Sequence, residues 1–269
     1  MRQFALAIAL LTAGVATAPI QAHDMHVHAS CSVDTGYDID VQHNAILFSR
    51  TDGSPHTVRM HDGMLQVDGR ALAVSQADAA RLRQYEAQVR ALLPEAAEIA
   101  REGVGIGFDA LTTVAATFAE QPDERSEVIR KLTGQRQRVL AQIDQGIGSG
   151  QWHHHGLDQL MDEGMGDAVS TLVSTVAARA VKAALSGDQS QVAALEARAD
   201  SLDKSIDRAV EAPARRLGER ADALCPRLVA LDELQQQLSL RLPDGSALSL
   251  LTVGKEHGHH EAVADTQDH

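Results

Sequence analysis

Histidine residues gather at three places in this chain of 269 residues, and imidazole is the commonest metal ligand in proteins. One group is the run from His153 to His155, in a predicted loop. The other two groups lie near the chain ends, and these candidate copper or zinc ligands are His23, His26, His28, His257, His259 and His260. A specific site requires rigidly held ligands, whereas imidazoles in flexible segments bind metal ions adventitiously. The pattern leaves both interpretations open, a copper or zinc site at the ends or solvated polar segments.

The first 22 residues have the organisation of a secretory signal peptide. Arg2 supplies a positive charge, positions 4 to 18 are mainly apolar, and small residues lead to a cleavage position after Ala22. No later segment approaches the roughly 20 apolar residues of a membrane helix. We therefore expect export to the periplasm, with no transmembrane segment after cleavage. His23 would then be the first residue, and its amine and ring nitrogen could chelate copper.

Cys31 and Cys225 are the only cysteines in the sequence. In an oxidising compartment, two cysteines in one exported chain favour a disulfide bond between them. Such a bond would join the start of the mature chain to a late helix. The alternative is that Cys31 binds a metal ion together with His26 and His28.

The longest predicted element runs from Trp152 to Leu242, where apolar residues recur three or four positions apart, as on one face of a helix. The pattern pauses at positions 186 to 188, which predicts two long helices folded into an antiparallel hairpin with coiled-coil-like seams. Pro213 and Pro226 are expected to divide the second helix, because proline cannot donate the helical hydrogen bond. The apolar residues predicted to face the seam in the first helix include Val169, Val173, Val181 and Leu185.

The segment from Tyr37 to Val74 alternates apolar with polar residues, which is typical of β-strands. Asp-Gly pairs at positions 52, 62 and 68 favour hairpin turns, so the segment predicts a small antiparallel meander. Ser75, with Asp78 three residues later, predicts a helix start. Pro94 and the glycines at 103, 105 and 107 are expected to interrupt that helix, and a further helix is expected to begin near position 123.

The predicted fold class is α+β and mainly α, with a long helical hairpin or bundle beside a small antiparallel sheet. Leucines that alternate on both sides of Pro243 to Gly245 predict a C-terminal β-hairpin that extends the sheet. A His-rich segment at 23–30 precedes one mixed domain at 31–254. Within it, 31–74 form the meander, 75–236 the helical body and 237–253 the hairpin. Residues 255–269 are expected to be a disordered, His-rich tail.

The amino-acid composition and the absence of known catalytic motifs exclude several classes of partner and function. Only 3% of the residues are aromatic although 44% are hydrophobic, which favours thin helix seams over deep aromatic pockets. The formal net charge of −13 makes nucleic acid and anionic lipid headgroups poor partners. We find no serine nucleophile elbow, no metalloprotease motif and no phosphate-binding loop, so no catalytic residue is assigned and a non-enzyme is expected.

Several motifs together resemble a known family. These are Cys31-Ser32-Val33-Asp34 after the signal peptide, Val67-Asp68-Gly69-Arg70-Ala71-Leu72, Arg83-Gln84-Tyr85 in a helix, a long helical body and the late Cys225. They are similar to the YggN-like family of uncharacterised proteobacterial periplasmic proteins. The resemblance implies a periplasmic location and paired cysteines, and it brings no known activity or catalytic residue.

The function that these observations favour is that of a non-catalytic periplasmic interaction or scaffold protein of the cell envelope, without a cofactor. Its partner would be a periplasmic protein or another envelope component, and self-association is also open because long amphipathic helices bind other helices. The alternative is a periplasmic copper or zinc binder that uses the histidines at the two ends.

Overall fold

The computed structural model describes residues 31–119, 121–153, 166, 169–170, 173–174, 176–178, 181–182, 185 and 189–255. The fold is mainly α with small antiparallel sheets, which confirms the predicted fold class. The predicted signal peptide, the predicted connection at 186–188 and the predicted tail after Lys255 lie outside the described residues.

Six antiparallel strands form the larger sheet. They are β2 (Asp38–Val41), β3 (Ile46–Ser49), β4 (Thr57–His61), β5 (Met64–Val67), β6 (Arg70–Leu72) and β7 (Gln151–Trp152). The order is β6-β5-β4-β3-β2-β7, so the predicted meander is confirmed and β7 joins it from a distant part of the chain. The register pairs Ile39 with Trp152.

The tight turns of this sheet use the predicted Asp-Gly pairs. Asp62 and Gly63 have φ of 46° and 77°, and Asp68 and Gly69 have φ of 48° and 75°. Two successive residues with positive φ match the right-handed twist of the flanking strands. These turns bring β4, β5 and β6 side by side.

Helix α1 (Gln76–Phe118) is the central element of the described fold, with 43 residues. It begins at the predicted cap, where the Ser75 hydroxyl accepts a hydrogen bond from the Asp78 amide at 3.1 Å. The helix continues through Pro94 and through the three glycines, so the predicted interruption is wrong. Packing explains the glycines in part, since a Cβ on Gly103 would lie 3.5 Å from Leu217. Burial of one long face outweighs the local helix-breaking preferences.

Helix α2 (Pro122–Gln145) turns back along α1. Ion pairs show the antiparallel arrangement, because Asp109 pairs with Arg136 at 2.9 Å while Arg101 pairs with Asp144 at 2.7 Å. The described helical hairpin is therefore that of α1 and α2. A short 3₁₀ helix (Ile147–Ser149) then leads to β7.

Three helices in the later part of the chain contact α1: α3 (Gln189–Ile206), α4 (Ala212–Asp222) and α5 (Cys225–Gln236). A π-helical turn (Asp207–Glu211) precedes Pro213, and the break after Asp222 precedes Pro226. The predicted division is therefore found before Pro226, whereas at Pro213 the chain stays helical and changes only to a π-helical turn. Glu95 pairs with Arg227 at 2.5 Å and Glu102 pairs with Arg220, so this part also runs antiparallel to α1.

Strands β1 (Cys31–Asp34) and β8 (Thr252–Lys255) form a separate antiparallel sheet, in which Cys31 is opposite Lys255. The predicted C-terminal hairpin is thus only partly correct. The chain turns at Leu242, whose amide donates to the Ser246 carbonyl at 2.9 Å, but residues 237–251 are not strands. The C-terminal hairpin was expected to extend the meander, whereas β8 pairs with β1, the first part of the predicted segment 31–74, in a sheet separate from the other strands.

The hydrophobic core lies between the larger sheet, α1, α2 and the segment from α5 to Leu251. Its largest fully buried side chains include Tyr37, Phe48, Tyr85 and Phe108. The described residues of the first helix predicted after Trp152 are helical, as expected. The predicted seam is wrong at Val169, Val173, Val181 and Leu185, which are exposed.

Candidate functional site

The sequence assigned Cys31 and Cys225 to a disulfide bond, and the structure contains it. The two sulfurs are 2.10 Å apart and the Cα atoms 5.8 Å apart. Cys31 begins β1 and Cys225 begins α5, so the bond fixes the small terminal sheet to the helical body. The alternative role of Cys31 as a metal ligand is excluded in this state, because its thiolate is consumed by the bond.

The candidate metal ligands His23, His26, His28, His257, His259 and His260 lie outside the described residues. His153 is described, and its Nδ1 lies 3.4 Å from a carboxylate oxygen of Asp38. Within the described ranges, no group of three histidine, cysteine, aspartate or glutamate side chains is arranged to hold a metal ion. The predicted metal site at the ends therefore stays a prediction.

A buried carboxylate joins α1 to the segment after α5. Asp78 is 2% exposed, and it accepts hydrogen bonds from the hydroxyl and amide of Ser239 at 2.6 and 3.1 Å. Ser75 and Arg81 donate at 2.9 and 3.2 Å. The hydroxyl of Ser239 is the largest cause of a lowered pKa of Asp78, and the other donors reinforce it against the opposing effect of burial. These hydrogen bonds stabilise the fold. Both carboxylate oxygens of Asp78 already accept from protein donors, so neither is left for a ligand.

A buried side-chain amide, that of Gln235, joins α5 to residues 250–251 through hydrogen bonds. The Gln235 Oε1 accepts from the amides of Leu250 and Leu251 at 2.5 and 3.2 Å, and its Nε2 donates to the Leu251 carbonyl at 2.8 Å. The side chain therefore provides backbone partners that a neighbouring strand would otherwise provide.

An apolar cavity of about 220 Å³ lies between the larger sheet, α1, α5 and the C-terminal segment. Its lining includes Phe48, Tyr85, Val89, Trp152, Leu228 and Leu250. The α1 residues 85, 89, 92, 93 and 96 contribute one continuous helix face. Val33, at 42% exposure, also lines it, and Trp152 and Leu228 are half-buried. The cavity thus reaches from the core to the surface.

Two polar atoms of the cavity-lining residues lack a hydrogen-bond partner. These are the Tyr85 hydroxyl and the Trp152 Nε1, both buried and both without a partner among the described residues. Gln88 Oε1, which belongs to a residue outside the lining, is in the same condition. Buried polar groups in folded proteins are nearly always paired, so two orphans beside one cavity call for a partner.

The electrostatic surroundings of the cavity disfavour negative charge. Burial raises the pKa of the Tyr85 phenol far above its ordinary value, and the Asp232 carboxylate raises it further. Tyr85 is therefore a neutral donor or acceptor at any physiological pH. An anion placed beside it would be repelled by Asp232 and would lose its hydration.

The other candidate surface is the part of the helical body between residues 166 and 185. The described residues there are helical, and Val173, Val181 and Leu185 are 61%, 57% and 82% exposed. None of the helices in the described part of the chain has the length and apolar character that crossing a bilayer requires.

Sequence reasoning missed the cavity. The low aromatic content suggested poor aromatic pockets, yet Phe48, Tyr85 and Trp152 converge on one place from a strand, a helix and β7. In the sequence, Tyr85 was identified only as part of the helical motif Arg83-Gln84-Tyr85. The signal that was available is that Trp152 is the only tryptophan.

Comparison with known proteins gives a family and no activity. A family model described as "Protein of unknown function (DUF2884)" matches residues 31–251. No curated protein and no solved structure matches the chain.

Proposed function

Because the chain belongs to the DUF2884 family of proteins of unknown function, we propose its role from its own surface, as a non-catalytic periplasmic protein that binds another protein of the cell envelope. Within the family it would be one of the YggN-like periplasmic proteins that its motifs resemble. Export rests on the signal-peptide pattern of residues 1–22. The disulfide bond supports it, because such bonds persist in oxidising compartments.

The observation that carries the binding role is the exposure of large apolar side chains on helical residues. Val169, Val173, Val181 and Leu185 are 41% to 82% exposed. Val169 and Val173, and likewise Val181 and Leu185, are four residues apart, so each pair shares one helix face. Exposed apolar faces mark interaction surfaces, because water contact costs free energy that a partner would recover. We call this set the apolar helix surface.

The partner expected here is an amphipathic helix whose apolar face is flanked by lysine or arginine. A helix matches the spacing of the apolar helix surface, since such faces pack along one another. The net charge of −13 favours a basic partner and disfavours a second copy of the chain, because like charges repel on approach.

The test places an aspartate on the apolar helix surface and follows crosslinking in the native host. A photo-crosslinking residue replaces Leu185, and Val173→Asp is compared with Gln137→Asp. Residue 137 is an exposed position of α2, so this control adds the same single charge to a helix outside the apolar helix surface. We expect one crosslinked partner that disappears with Val173→Asp and persists with Gln137→Asp.

The identity of the crosslinked species decides the proposal. Mass spectrometry should identify an envelope protein crosslinked through a basic amphipathic helix. A crosslink to a second copy would replace the proposal with self-association. Equal crosslinking in both aspartate variants would show that the apolar helix surface is not the contact.

Export has its own experiment. Deletion of residues 1–22 should retain the protein in the cytoplasm with both cysteines reduced, whereas the full chain should be periplasmic with no free thiol. Fractionation with thiol labelling distinguishes these outcomes. A full chain found in the cytoplasm would contradict the proposal.

A second candidate function is periplasmic copper or zinc binding through the terminal histidines. It is favoured by the pairing of Cys31 with Lys255, because the His-rich segments before and after these residues attach to the same strand pair. Removing residues 23–28 and 256–269 from untagged protein should then abolish metal binding measured by calorimetry. Unchanged affinity would eliminate this candidate.

A further inference from the structure

We propose that the apolar cavity behind Trp152 is a binding site for a small, uncharged, mainly apolar molecule that carries one hydrogen-bond acceptor. This goes beyond the proposed protein-binding role and uses a different region of the fold. It depends on the cavity, on two unpartnered polar atoms and on the charge nearby.

The size of the cavity limits the ligand. A cavity of roughly 150 Å³ lined by apolar side chains stays dry and binds benzene. Scaling from benzene, the volume of about 220 Å³ accommodates roughly nine non-hydrogen atoms. This excludes a whole lipid and fits a substituted benzene.

The two unpartnered atoms belong to cavity-lining residues but have almost no accessible surface, so a ligand reaches them only when the two rings rotate slightly. Once reached, these atoms define where the ligand must be polar. Indole nitrogen is a donor only, so the partner that Trp152 Nε1 lacks has to be an acceptor. The Tyr85 hydroxyl can donate to a ligand acceptor or accept from a ligand hydroxyl. Thr35 also lines the cavity, but its hydroxyl already donates to the Leu250 carbonyl at 2.8 Å.

The apolar lining and the Asp232 carboxylate near Tyr85 disfavour an anionic acceptor. Burial raises the pKa of the Tyr85 phenol and Asp232 raises it further, and the Asp232 carboxylate is held by Gln235 and Gln236 at 3.0 and 2.7 Å. A ligand carboxylate would therefore meet a fixed negative charge in an apolar environment. A ketone, ether or alcohol would meet no such penalty.

The experiment uses three probes of nearly equal shape: acetophenone with a neutral acceptor, cumene with none, and benzoate with a charged one. The readout is the indole N–H resonance of the intact ¹⁵N-labelled protein, which is a single signal because Trp152 is the only tryptophan. We expect acetophenone to bind and to move this resonance downfield, as a new hydrogen bond does. Cumene should bind about three- to tenfold more weakly, since it lacks one hydrogen bond, and benzoate at least tenfold more weakly.

Two variants locate the binding. Ala96 is half-buried and lines the cavity, so Ala96→Phe should fill it and weaken acetophenone binding at least tenfold. Ala91 is exposed on the same helix, so Ala91→Phe should leave the affinity within about twofold, and it is the matched control.

Tyr85→Phe keeps the cavity volume and removes only the hydroxyl, so it serves if Ala96→Phe does not fold. It should reduce the preference for acetophenone over cumene. The proposal is overturned if acetophenone leaves the indole resonance unchanged, if a folded Ala96→Phe binds as well as the unmodified protein, or if cumene and acetophenone bind equally.

Discussion

Asp78 stays charged inside the protein because its two oxygens accept four hydrogen bonds from three residues. Tyr85 and Trp152 present the opposite situation at the same residue scale, since their buried polar atoms have no partner in the described chain. The first arrangement stabilises the fold without a ligand. In the second arrangement, burial of the unpartnered polar atoms costs free energy, and a ligand that hydrogen-bonds to them would recover that cost.

Replacement of Asp78 with asparagine should lower the free energy of unfolding at neutral pH by about 2 kcal/mol, because hydrogen bonds to a charged acceptor are lost. The pKa of Asp78 is lowered in the folded state. Its contribution is therefore complete above the ordinary value of about 3.9 and is lost as the pH falls through the folded value. Urea unfolding from pH 7 to pH 2 should show the difference between the two proteins shrinking below about pH 4.

Asp62→Asn is the matched control, since the Asp62 side chain is 74% exposed and asparagine tolerates its positive φ. It should change stability by less than about 0.5 kcal/mol. A difference between the Asp78 proteins that is constant with pH would contradict the assignment of the charge.

The two tyrosines should respond in opposite ways to removal of the hydroxyl. The Tyr37 hydroxyl donates to the Pro55 carbonyl at 3.2 Å, so Tyr37→Phe should cost about 1 kcal/mol. The Tyr85 hydroxyl is buried and unpartnered, so Tyr85→Phe should leave stability unchanged or raise it by up to about 1 kcal/mol. Thermal and urea unfolding measure both. An equal loss in the two variants would mean that the Tyr85 hydroxyl is hydrogen-bonded.

At the scale of elements, the features that depend on a few neighbouring residues were predictable from the sequence. Ser75 and Asp78 begin α1 as expected, and the Asp62-Gly63 turn follows from backbone preferences of those two residues alone. Pro213 follows a π-helical turn in backbone that stays helical, and Pro226 follows the turn that separates α4 from α5, because the missing amide acts within one helical turn. In each case the deciding interaction spans only a few residues.

The failures depend on contacts between distant parts of the chain. Pro94 and Gly103 remain inside α1 because that helix is covered by several others, which propensity does not register. The leucines at 238, 240 and 242 alternate like a strand and are buried, yet none of the strands in the described part of the chain pairs with them. The cavity requires Phe48, Tyr85 and Trp152 to meet, and no local pattern predicts that meeting.

Removal of the Gln235 side-chain amide should lower the free energy of unfolding more than most substitutions in α5. Gln235→Ala leaves two amides and one carbonyl of residues 250–251 without their partner, so a loss of about 3 kcal/mol is expected. Gln237→Ala, at an exposed position one residue after the helix, should cost less than about 0.5 kcal/mol. Urea unfolding measures both, and similar losses would show that the buried amide has no special role.

For the whole molecule, the disulfide bond is the strongest link between the small terminal sheet and the helical body. It closes a segment with a sequence separation of 194 residues. A link across so long a segment restricts the unfolded chain heavily, by on the order of 5 kcal/mol in the chain-entropy model. That contribution is comparable to the entire stability of many domains.

Replacement of both Cys31 and Cys225 with serine should therefore lower the free energy of unfolding by about 3 to 5 kcal/mol. Urea unfolding measures the loss, and the same loss should appear when a reducing agent is added to the unmodified protein. The serine variant should not respond to the reducing agent. A loss below about 1 kcal/mol would mean that other contacts hold β1 and α5 together.

The position of the disulfide also determines how the protein would extend under mechanical load applied at Cys31 and Lys255. These residues face each other at one end of the β1–β8 ladder, so a pulling force would unzip that ladder one pair at a time. Extension would then stop after the about 30 residues beyond Cys225 had been drawn out, roughly 100 Å at about 3.5 Å per residue. Everything between the two cysteines would be shielded from the force until the sulfur–sulfur bond was reduced.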